Sequence, residues 1–296
     1  MSSLSSGVRD LIALALAEDL GGERDQWNTD GDVTSRAFIP ADSKAVAHII
    51  ARAPCVASGL STAAEVFRKV DPSLEISVSC NEGDQLQSDS TLLKIRGSTR
   101  SILSGERTAL NFLGRLCGIA TLARRYADSV LGTRVQLLDT RKTTPGWRLL
   151  EKQAVKSGGC VNHRMGLHDA VLVKDNHLAA LGDLSRLPSA IEKLRTEHLG
   201  LPIVVEADTM PQVERLLIIP GIDVILLDNM SCDLMKEAVA LRSMIAPSVL
   251  LEASGGVNLN SVAAIAQTGV DRISVGAITH SSQNADLSLE LECSRP

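Results

Sequence analysis

The chain has 296 residues, enough for a barrel with a smaller module, and its net charge of −5 offers no broad basic surface to a polyanion. Hydrophobic residues make up 44% of it and aromatic residues only 2%, which predicts an aliphatic core and leaves few rings for stacking bases. We therefore expect no nucleic-acid partner.

The cysteines and the N-terminal residues bear on the compartment. The six cysteines are scattered without a C-x-x-C pair, so neither a disulfide framework nor a zinc site is indicated, and reduced thiols are expected. Val8, Ile12 and Leu16 fall on one helical face, which predicts an amphipathic helix rather than a signal peptide. No apolar run approaches the length of a membrane span. The sequence thus predicts a cytoplasmic protein with no membrane partner.

The first third of the chain alternates short strand patterns with helical ones. The predicted elements are a loop at 21–32, strands at 44–53, 74–80 and 91–95, and a helix at 61–70. A long apolar helical face follows at 101–126. We predict an N-terminal α+β domain over residues 1–106, with the tail 281–296 packed on it.

From residue 135 onward, nearly continuous apolar runs alternate with helical patterns. The runs lie at 135–138, 170–173, 202–205, 223–227, 249–251 and 272–275, and the helical patterns at 148–156, 184–197, 210–217, 232–245 and 261–267. Such alternation predicts a parallel sheet covered by helices. Six units in series favour an incomplete (β/α) barrel with parallel strands over residues 107–280, and no G-x-G-x-x-G supports a dinucleotide fold.

Ionisable residues or glycines follow every one of these runs, where a parallel barrel gathers its catalytic groups. Cations cluster early, at Arg141, Lys142, His163, Arg164 and Lys174, and such a cluster suits an anionic ligand. Each residue alone also fits an ordinary solvated loop, but together they favour a binding site.

The later strand ends supply acids and a glycine-rich turn. Glu206 and Asp228 are able to bind sugar hydroxyls, stabilise a developing cation, or hold Mg²⁺ through water. The Ser254-Gly255-Gly256 turn aims backbone N–H groups at a phosphate, which Gly276 allows to approach closely. The residues therefore predict a phosphorylated, polyanionic substrate with a sugar-like middle.

Long motifs in this chain resemble those of quinolinate phosphoribosyltransferases. They are LDTRKTTPGWRLLEKQAV, GGCVNHRMGLHDAVLVKDNHL, VILLDNM, EASGGVN and VGAITHS, together with GDVTSRAFIP and ERTALNFLGRLCGIAT nearer the N-terminus. The resemblance runs over residues 31–289 in the family's order. It departs at Cys160, where a third glycine is common, and at Val204, where another acid often stands.

The resemblance implies a reaction and a set of roles. Quinolinate and 5-phosphoribosyl-1-pyrophosphate would give nicotinate mononucleotide, pyrophosphate and CO₂ in NAD biosynthesis, with Mg²⁺ and no organic cofactor. Quinolinate's carboxylates would be held by Arg141, His163, Arg164 and Lys174, joined by Arg107 of a neighbouring subunit. The phosphoribosyl substrate would be bound by Lys142, Glu206, Asp228, Ser254, Gly255, Gly256, Gly276 and His280.

Catalysis would rest on Lys142, Glu206, Asp228 and Lys174, with Mg²⁺ held through pyrophosphate and water near Glu206 and Asp228. Shared sites imply a homo-oligomer, either a dimer or a hexamer-type assembly of dimers. Three alternatives remain: a nicotinate phosphoribosyltransferase, a Schiff-base aldolase using Lys174, and a phosphosugar-binding barrel without turnover. The surplus of cations favours the dicarboxylate quinolinate.

Overall fold

A computed structural model describes residues 4–23, 31–182 and 184–292. Within them the chain forms, in order, α1 (Ser6–Leu20), α2 (Val33–Phe38), β1 (Lys44–Ala51), β2 (Cys55–Val56), α3 (Leu60–Val70), β3 (Glu75–Val78), β4 (Gln85–Leu86), β5 (Thr91–Ser98), α4 (Thr99–Ser129), β6 (Gln136–Leu138), α5 (Arg148–Ser157), β7 (Val171–Val173), α6 (Asp175–Leu181), a 3₁₀ turn (Leu184–Arg186), α7 (Leu187–Glu197), β8 (Ile203–Ala207), α8 (Met210–Leu217), β9 (Val224–Asp228), α9 (Cys232–Ile245), β10 (Leu250–Ser254), α10 (Val262–Ala266), β11 (Arg272–Ser274), α11 (Ala277–His280) and β12 (Leu287–Glu292). Residues 24–30 of the predicted loop and 293–296 of the predicted tail lie outside the described residues.

The chain divides into two compact units. The first comprises Met1–Arg124, Thr144–Gly159 and Ser282–Pro296, and the second comprises Arg125–Thr143 and Cys160–Ser281. The boundary predicted between residues 106 and 107 falls inside the single helix α4. A continuous helix has no break in its sequence pattern that would mark a domain boundary. The boundary between residues 106 and 107 therefore stays a prediction.

The first unit is built on a four-stranded antiparallel sheet in the order β12-β1-β5-β3, so the C-terminal strand pairs with the first strand of the chain. The strand β12 was not predicted as an element. Helix α1 begins after Ser5, whose hydroxyl accepts the N–H of Val8, and it buries Ile12 and Leu16 as the amphipathic pattern predicts. Phe67 of α3 is fully buried in the core of this unit.

The second unit is a six-stranded parallel sheet in the order β6-β11-β10-β9-β8-β7, covered by helices. Beyond β6, Val161 adds a single parallel bridge to Leu138. This is the incomplete (β/α) barrel that the apolar runs predict, because strands buried on both faces, such as β8, read as continuous apolar sequence. The helices α6 and α11 and the start of α7 at Leu187 differ from the prediction.

The register of the barrel strands places a layer of apolar side chains next to the layer that carries the site's carboxylates. Val204 and Leu250 both pair with Val224, and these residues pack into one cluster with Leu226. Side chains two positions further along each strand share the same face. That next layer contains Glu206 and Glu252, which both pair with Leu226. The barrel therefore changes from an aliphatic layer to a carboxylate layer within two residues.

Among the helices of the described ranges, none has both the length and the apolar composition needed to cross a membrane.

Candidate active site

A cavity of about 730 Å³ opens at the carboxyl ends of the barrel strands, within the second unit. Its lining contains all the predicted site residues except Glu206 and Arg107, namely Arg141, Lys142, His163, Arg164, Lys174, Asp228, Ser254, Gly255, Gly256, Gly276 and His280. These residues come from loops far apart in sequence, and the parallel strands bring them to one edge.

In the loop after β6, one charged residue is buried and has a structural role, whereas two others are exposed in the cavity. Asp139 is fully buried, and it accepts hydrogen bonds from Asn162 Nδ2 at 2.6 Å and from the backbone N–H of His163 at 2.8 Å. Its carboxylate thus holds the neighbouring loop rather than facing a ligand. Arg141 and Lys142 are exposed in the cavity, and the Thr279 hydroxyl donates to the Lys142 carbonyl at 2.8 Å.

Cys160, which departs from the glycine common in the family, lies in the buried part of this region. Burial and the negative charge of Asp139 raise the pKa of its thiol to about 12. The thiol therefore stays protonated at neutral pH and behaves as a small apolar side chain.

The loop between α5 and β7 presents a histidine and an arginine to the cavity. The backbone N–H of Arg164 donates to His163 Nδ1 at 2.8 Å, and His163 Nε2 lies 3.2 Å from Glu252 Oε1. Arg164 donates from Nη1 to the Ala170 carbonyl at 3.0 Å. Burial lowers the pKa of the Arg164 guanidinium, the Arg141 guanidinium lowers it further, and neither changes its charge at neutral pH.

Lys174 and Glu206 form an ion pair at the ends of β7 and β8. Lys174 Nζ lies 3.2 Å from Glu206 Oε2, and the Asp175 N–H donates to the other carboxylate oxygen at 3.4 Å. Half of the Lys174 side chain is exposed, whereas Glu206 is buried. The lysine therefore keeps a partner while still reaching the cavity that it lines.

Three carboxylates gather at the ends of β8 and β9. One oxygen each from Glu206, Asp208 and Asp228 lies within 4.8 Å of the others. Sequence reasoning identified Glu206 and Asp228 but missed Asp208. The period of the strand was a usable signal, because Asp208 stands two residues after Glu206 and so points the same way. Oxygen donors at this spacing fit a hard divalent cation such as Mg²⁺.

The glycine-rich turn after β10 passes very close to its neighbour. Gly255 has φ of +91°, and a Cβ on it would lie 2.1 Å from Asn229 Oδ1. Asn229 itself has φ of +53°, and its N–H donates to the Ser254 carbonyl. Only glycine fits there, so backbone rather than side chain faces the cavity.

Gly276 leaves space on the next strand end. A Cβ at this position would lie 3.1 Å from Lys142 Cδ and 3.2 Å from His280 Nε2. His280 also lies 2.6 Å from the Ser281 hydroxyl through Nδ1. The lack of a side chain at this glycine therefore leaves room for both Lys142 and His280 close to its backbone.

Arg107 lies on α4 in the first unit, outside the unit that forms the cavity. Its side chain is 68% exposed, and its nearest acidic partner is Glu106 at 3.9 Å. Its predicted place in a neighbouring subunit's site stays a prediction.

Comparisons with known proteins give matches over nearly the whole chain. Residues 32–117 match the model of the quinolinate phosphoribosyl transferase N-terminal domain, and residues 119–290 match that of the C-terminal domain. A probable nicotinate-nucleotide pyrophosphorylase (carboxylating) from Synechocystis is 40% identical, covering 93% of this chain and 90% of the relative. The corresponding protein of Mycobacterium leprae is 39% identical over 96% of this chain and 97% of its own.

A solved structure supports the same assignment. The nicotinate-nucleotide pyrophosphorylase from Francisella tularensis is 33% identical, covers 98% of each chain and superposes with a TM-score of 0.88. The resemblance carried by the sequence motifs is thus confirmed. The chain belongs to the quinolinate phosphoribosyltransferase family.

Proposed function

We propose that this enzyme transfers the phosphoribosyl group of 5-phosphoribosyl-1-pyrophosphate to quinolinate and releases pyrophosphate and CO₂, giving nicotinate mononucleotide for NAD biosynthesis. The observation that carries the proposal is one cavity lined by Arg141, Lys142, Arg164 and Lys174 together with a glycine turn. Clustered cations suit a dicarboxylate, and a turn of backbone N–H groups suits a phosphate.

We assign quinolinate to the part of the cavity that is lined by cations from the first strands of the barrel. Arg141 and Arg164 offer forked donors that match a carboxylate, and the Arg141 guanidinium is near enough to affect the pKa of Arg164. Lys174 adds a point charge, and His163 lines the same cavity. Two adjacent arginines repel each other, so binding an anion between them relieves that repulsion.

The phosphoribosyl substrate is assigned to the other side of the cavity. Ser254, Gly255, Gly256 and Gly276 present backbone to the 5-phosphate, and His280 lies beside Gly276. Lys142, which also lies close to Gly276, would stabilise the departing pyrophosphate. Glu206 and Asp228 would face the ribose.

The carboxylates of Glu206, Asp208 and Asp228 fit Mg²⁺, and we propose that they hold it directly or through water, together with the pyrophosphate. When bound, the metal supplies positive charge that neutralises the phosphate oxygens.

The chemistry follows from the charges of the chain's own residues. Lys142 stabilises negative charge on the leaving group, while Glu206 and Asp228 stabilise positive charge that develops on the ribose. The cations hold the pyridine nitrogen of quinolinate toward that carbon. Once the nitrogen is bonded and positive, it stabilises the electron pair that remains on the ring carbon when CO₂ leaves. That carbon then takes a proton from water to give nicotinate mononucleotide, so no organic cofactor is required.

Two rival reactions make different demands on the site. A nicotinate phosphoribosyltransferase binds a single carboxylate and releases no CO₂, so it has no use for this number of cations. A Schiff-base aldolase needs a lysine with a lowered pKa in apolar surroundings, whereas Lys174 is half-exposed and paired with Glu206. A binding barrel would hold the phosphosugar without turnover.

The test is release of labelled CO₂ from carboxyl-labelled quinolinate. We expect release only when 5-phosphoribosyl-1-pyrophosphate and Mg²⁺ are both present. Turnover of nicotinate without turnover of quinolinate would refute the proposal. Borohydride trapping of an imine would establish the aldolase reaction instead, and binding without any product would leave the phosphosugar-binding barrel.

We propose further that the protein acts in the cytoplasm as a homo-oligomer whose subunits complete each other's sites through Arg107. Cys55, Cys80, Cys117 and Cys232 are free thiols, in keeping with a reducing compartment. Neither Arg107→Ala nor Lys142→Ala homo-oligomers should turn over normally. Re-formed mixtures of the two should regain activity, because one site in a mixed pair would keep both residues. Mixed oligomers without recovery would rule out sharing through Arg107.

A further inference from the structure

A buried carboxylate adjoins the cavity without lining it. Glu252 of β10 is fully buried, and its Oε1 accepts the Ser274 hydroxyl and faces His163 Nε2 at 3.2 Å. Its Oε2, also buried, has no hydrogen-bond partner among the residues that the structure describes. Burying a carboxylate with half of its acceptors unused is costly, so the side chain needs a compensating role.

The hydrogen bonds around His163 define one state of its ring. Nδ1 accepts the backbone N–H of Arg164 and therefore carries no proton. With Nδ1 as an acceptor, the ring proton of the neutral imidazole is left to Nε2, which lies 3.2 Å from Glu252 Oε1. The backbone N–H of His163 meanwhile donates to the buried Asp139. Two buried carboxylates, Asp139 in the loop after β6 and Glu252 on β10, thus hold this histidine, one through its backbone and the other through its ring.

We propose that Glu252 is a positioning residue for the quinolinate pocket, acting through His163 on Arg164. The acceptor at Glu252 fixes the tautomer and orientation of the imidazole. The imidazole fixes the backbone N–H of Arg164, whose guanidinium is anchored at the Ala170 carbonyl. The effect on binding rests on quinolinate being the ligand, as in the proposed function, whereas the effect on the histidine tautomer does not.

Positioning and simple electrostatics predict opposite changes in quinolinate affinity when Glu252 is replaced. Glu252 places negative charge beside a pocket for a dianion, so its loss should tighten quinolinate binding if charge alone matters. If the acceptor positions the pocket, its loss should weaken binding. Glu252→Met removes both charge and acceptor at similar volume. Glu252→Gln removes the charge but keeps an oxygen that is able to accept from His163 Nε2.

The experiment measures quinolinate affinity by calorimetry on the intact protein. We expect Glu252→Met to weaken binding about tenfold, the scale of one hydrogen bond to a charged group. Glu252→Gln should stay within about threefold of the wild type. Affinity for 5-phosphoribosyl-1-pyrophosphate should change little in either variant. Asp271→Asn, a carboxylate at the opposite end of the barrel, serves as the matched control and should leave both affinities unchanged.

The state of the ring is read separately by ¹⁵N NMR with labelled histidine, in which the His163 signals are assigned by their loss in His163→Ala. We expect the Nε2–H tautomer in the wild type and in Glu252→Gln, and a mixture in Glu252→Met. Tighter quinolinate binding in Glu252→Met, or a parallel loss of affinity for both substrates, would overturn the proposal.

If Glu252→Met does not fold, the test rests on Glu252→Gln. An altered His163 tautomer in that variant, with unchanged quinolinate affinity, would also refute the proposal that Glu252 positions the pocket. A wild type that shows this tautomer but no quinolinate turnover would refute the proposed function alone.

Discussion

The two ends of the six-stranded sheet use the same charged residue types in opposite ways. At the amino end, Asp223 precedes β9, accepts the N–H of Ile203 at 2.6 Å and pairs with Arg195 at 2.6 Å. Two strands away, Asp271 precedes β11, accepts the N–H of Leu251 at 2.8 Å and pairs with Arg242 at 3.4 Å. Each acid therefore joins the start of a neighbouring strand to the helix that precedes that strand in the chain, which is α7 for Asp223 and α9 for Asp271.

At the carboxyl end, the charged side chains converge on open space instead. Arg141 and Lys142 are exposed in the cavity, and the carboxylates of Asp208 and Asp228 cluster with each other rather than being spaced apart. Like charges gathered in this way are stabilised only when a ligand or metal of opposite charge binds. The amino end of the barrel thus contributes stability and the carboxyl end contributes function.

The largest expected effect is at Lys142. Replacing Lys142 with alanine should lower kcat about 10²–10³-fold, the usual loss for one group that stabilises charge in the transition state. The melting temperature should stay within about 2 °C, because the removed ammonium is exposed. Steady-state rates and thermal melts measure both. Lys236→Ala, an exposed lysine on α9, is the control and should change neither. A kcat near that of the wild type would remove Lys142 from catalysis.

Arg141 should show a binding effect of the next size. Arg141→Ala should weaken quinolinate about 10–100-fold in calorimetry, because a forked charge-assisted contact is lost. Arg141→Lys keeps the charge without the fork and should fall between the alanine variant and the wild type. Equal affinities of all three proteins would exclude a direct contact with quinolinate.

The sequence predicted more of the carboxyl end than of the amino end. Ionisable residues and glycines near the ends of apolar runs identified much of the cavity lining, because period and run length locate strand ends. The burial of Glu252 and its contact with His163 could not be read from the sequence, because both depend on the pairing of β10 with its neighbours. The acids at the amino end were invisible for the same reason, since their partners lie on other strands.

Elements of the fold were predicted unevenly for related reasons. Long periodic segments such as α4 and α9 were found within a few residues. The short helices α6 and α11 were missed, because four to seven residues carry too little periodicity. Helix α7 begins at Leu187 rather than 184 because Pro188 favours the first turn of a helix. The order of the strands could not be predicted, since it depends on long-range pairing.

Arg242 tests the amino end of the barrel and should affect stability alone. Arg242→Ala removes a guanidinium that is 11% exposed, bonded to the Val249 carbonyl and paired with Asp271. The free energy of unfolding should fall by about 1–3 kcal/mol, because buried polar partners lose their donor. KM for both substrates should stay within about twofold. Urea unfolding measures the free energy of unfolding. As a control, Lys193→Ala removes an exposed lysine that lies 3.8 Å from Glu197, and it should change this free energy by less than about 0.5 kcal/mol.

The smallest expected effect lies at Asp169, in the turn that follows Arg164. Burial acts to raise the pKa of this carboxyl, but the N–H groups of Met165 and Gly166, at 2.6 and 2.9 Å, outweigh it and hold the pKa below the ordinary 3.8. The ionised carboxylate therefore contributes stability above that value, and the contribution is lost as the pH falls through the folded-state pKa.

Asp169→Asn should consequently melt below the wild type at pH 7, and the difference should shrink as the pH falls below 3.8 and through the lowered pKa of the wild-type carboxyl. The shift should be smaller than that of Arg242→Ala, because solvent screens this turn. Thermal melts of both proteins across this pH range measure it. A difference that stays constant with pH would show that the turn depends on the shape of the side chain and not on its charge. Such a result would make this turn an exception to the rule that charge at the carboxyl end serves the ligand or the loops that present it.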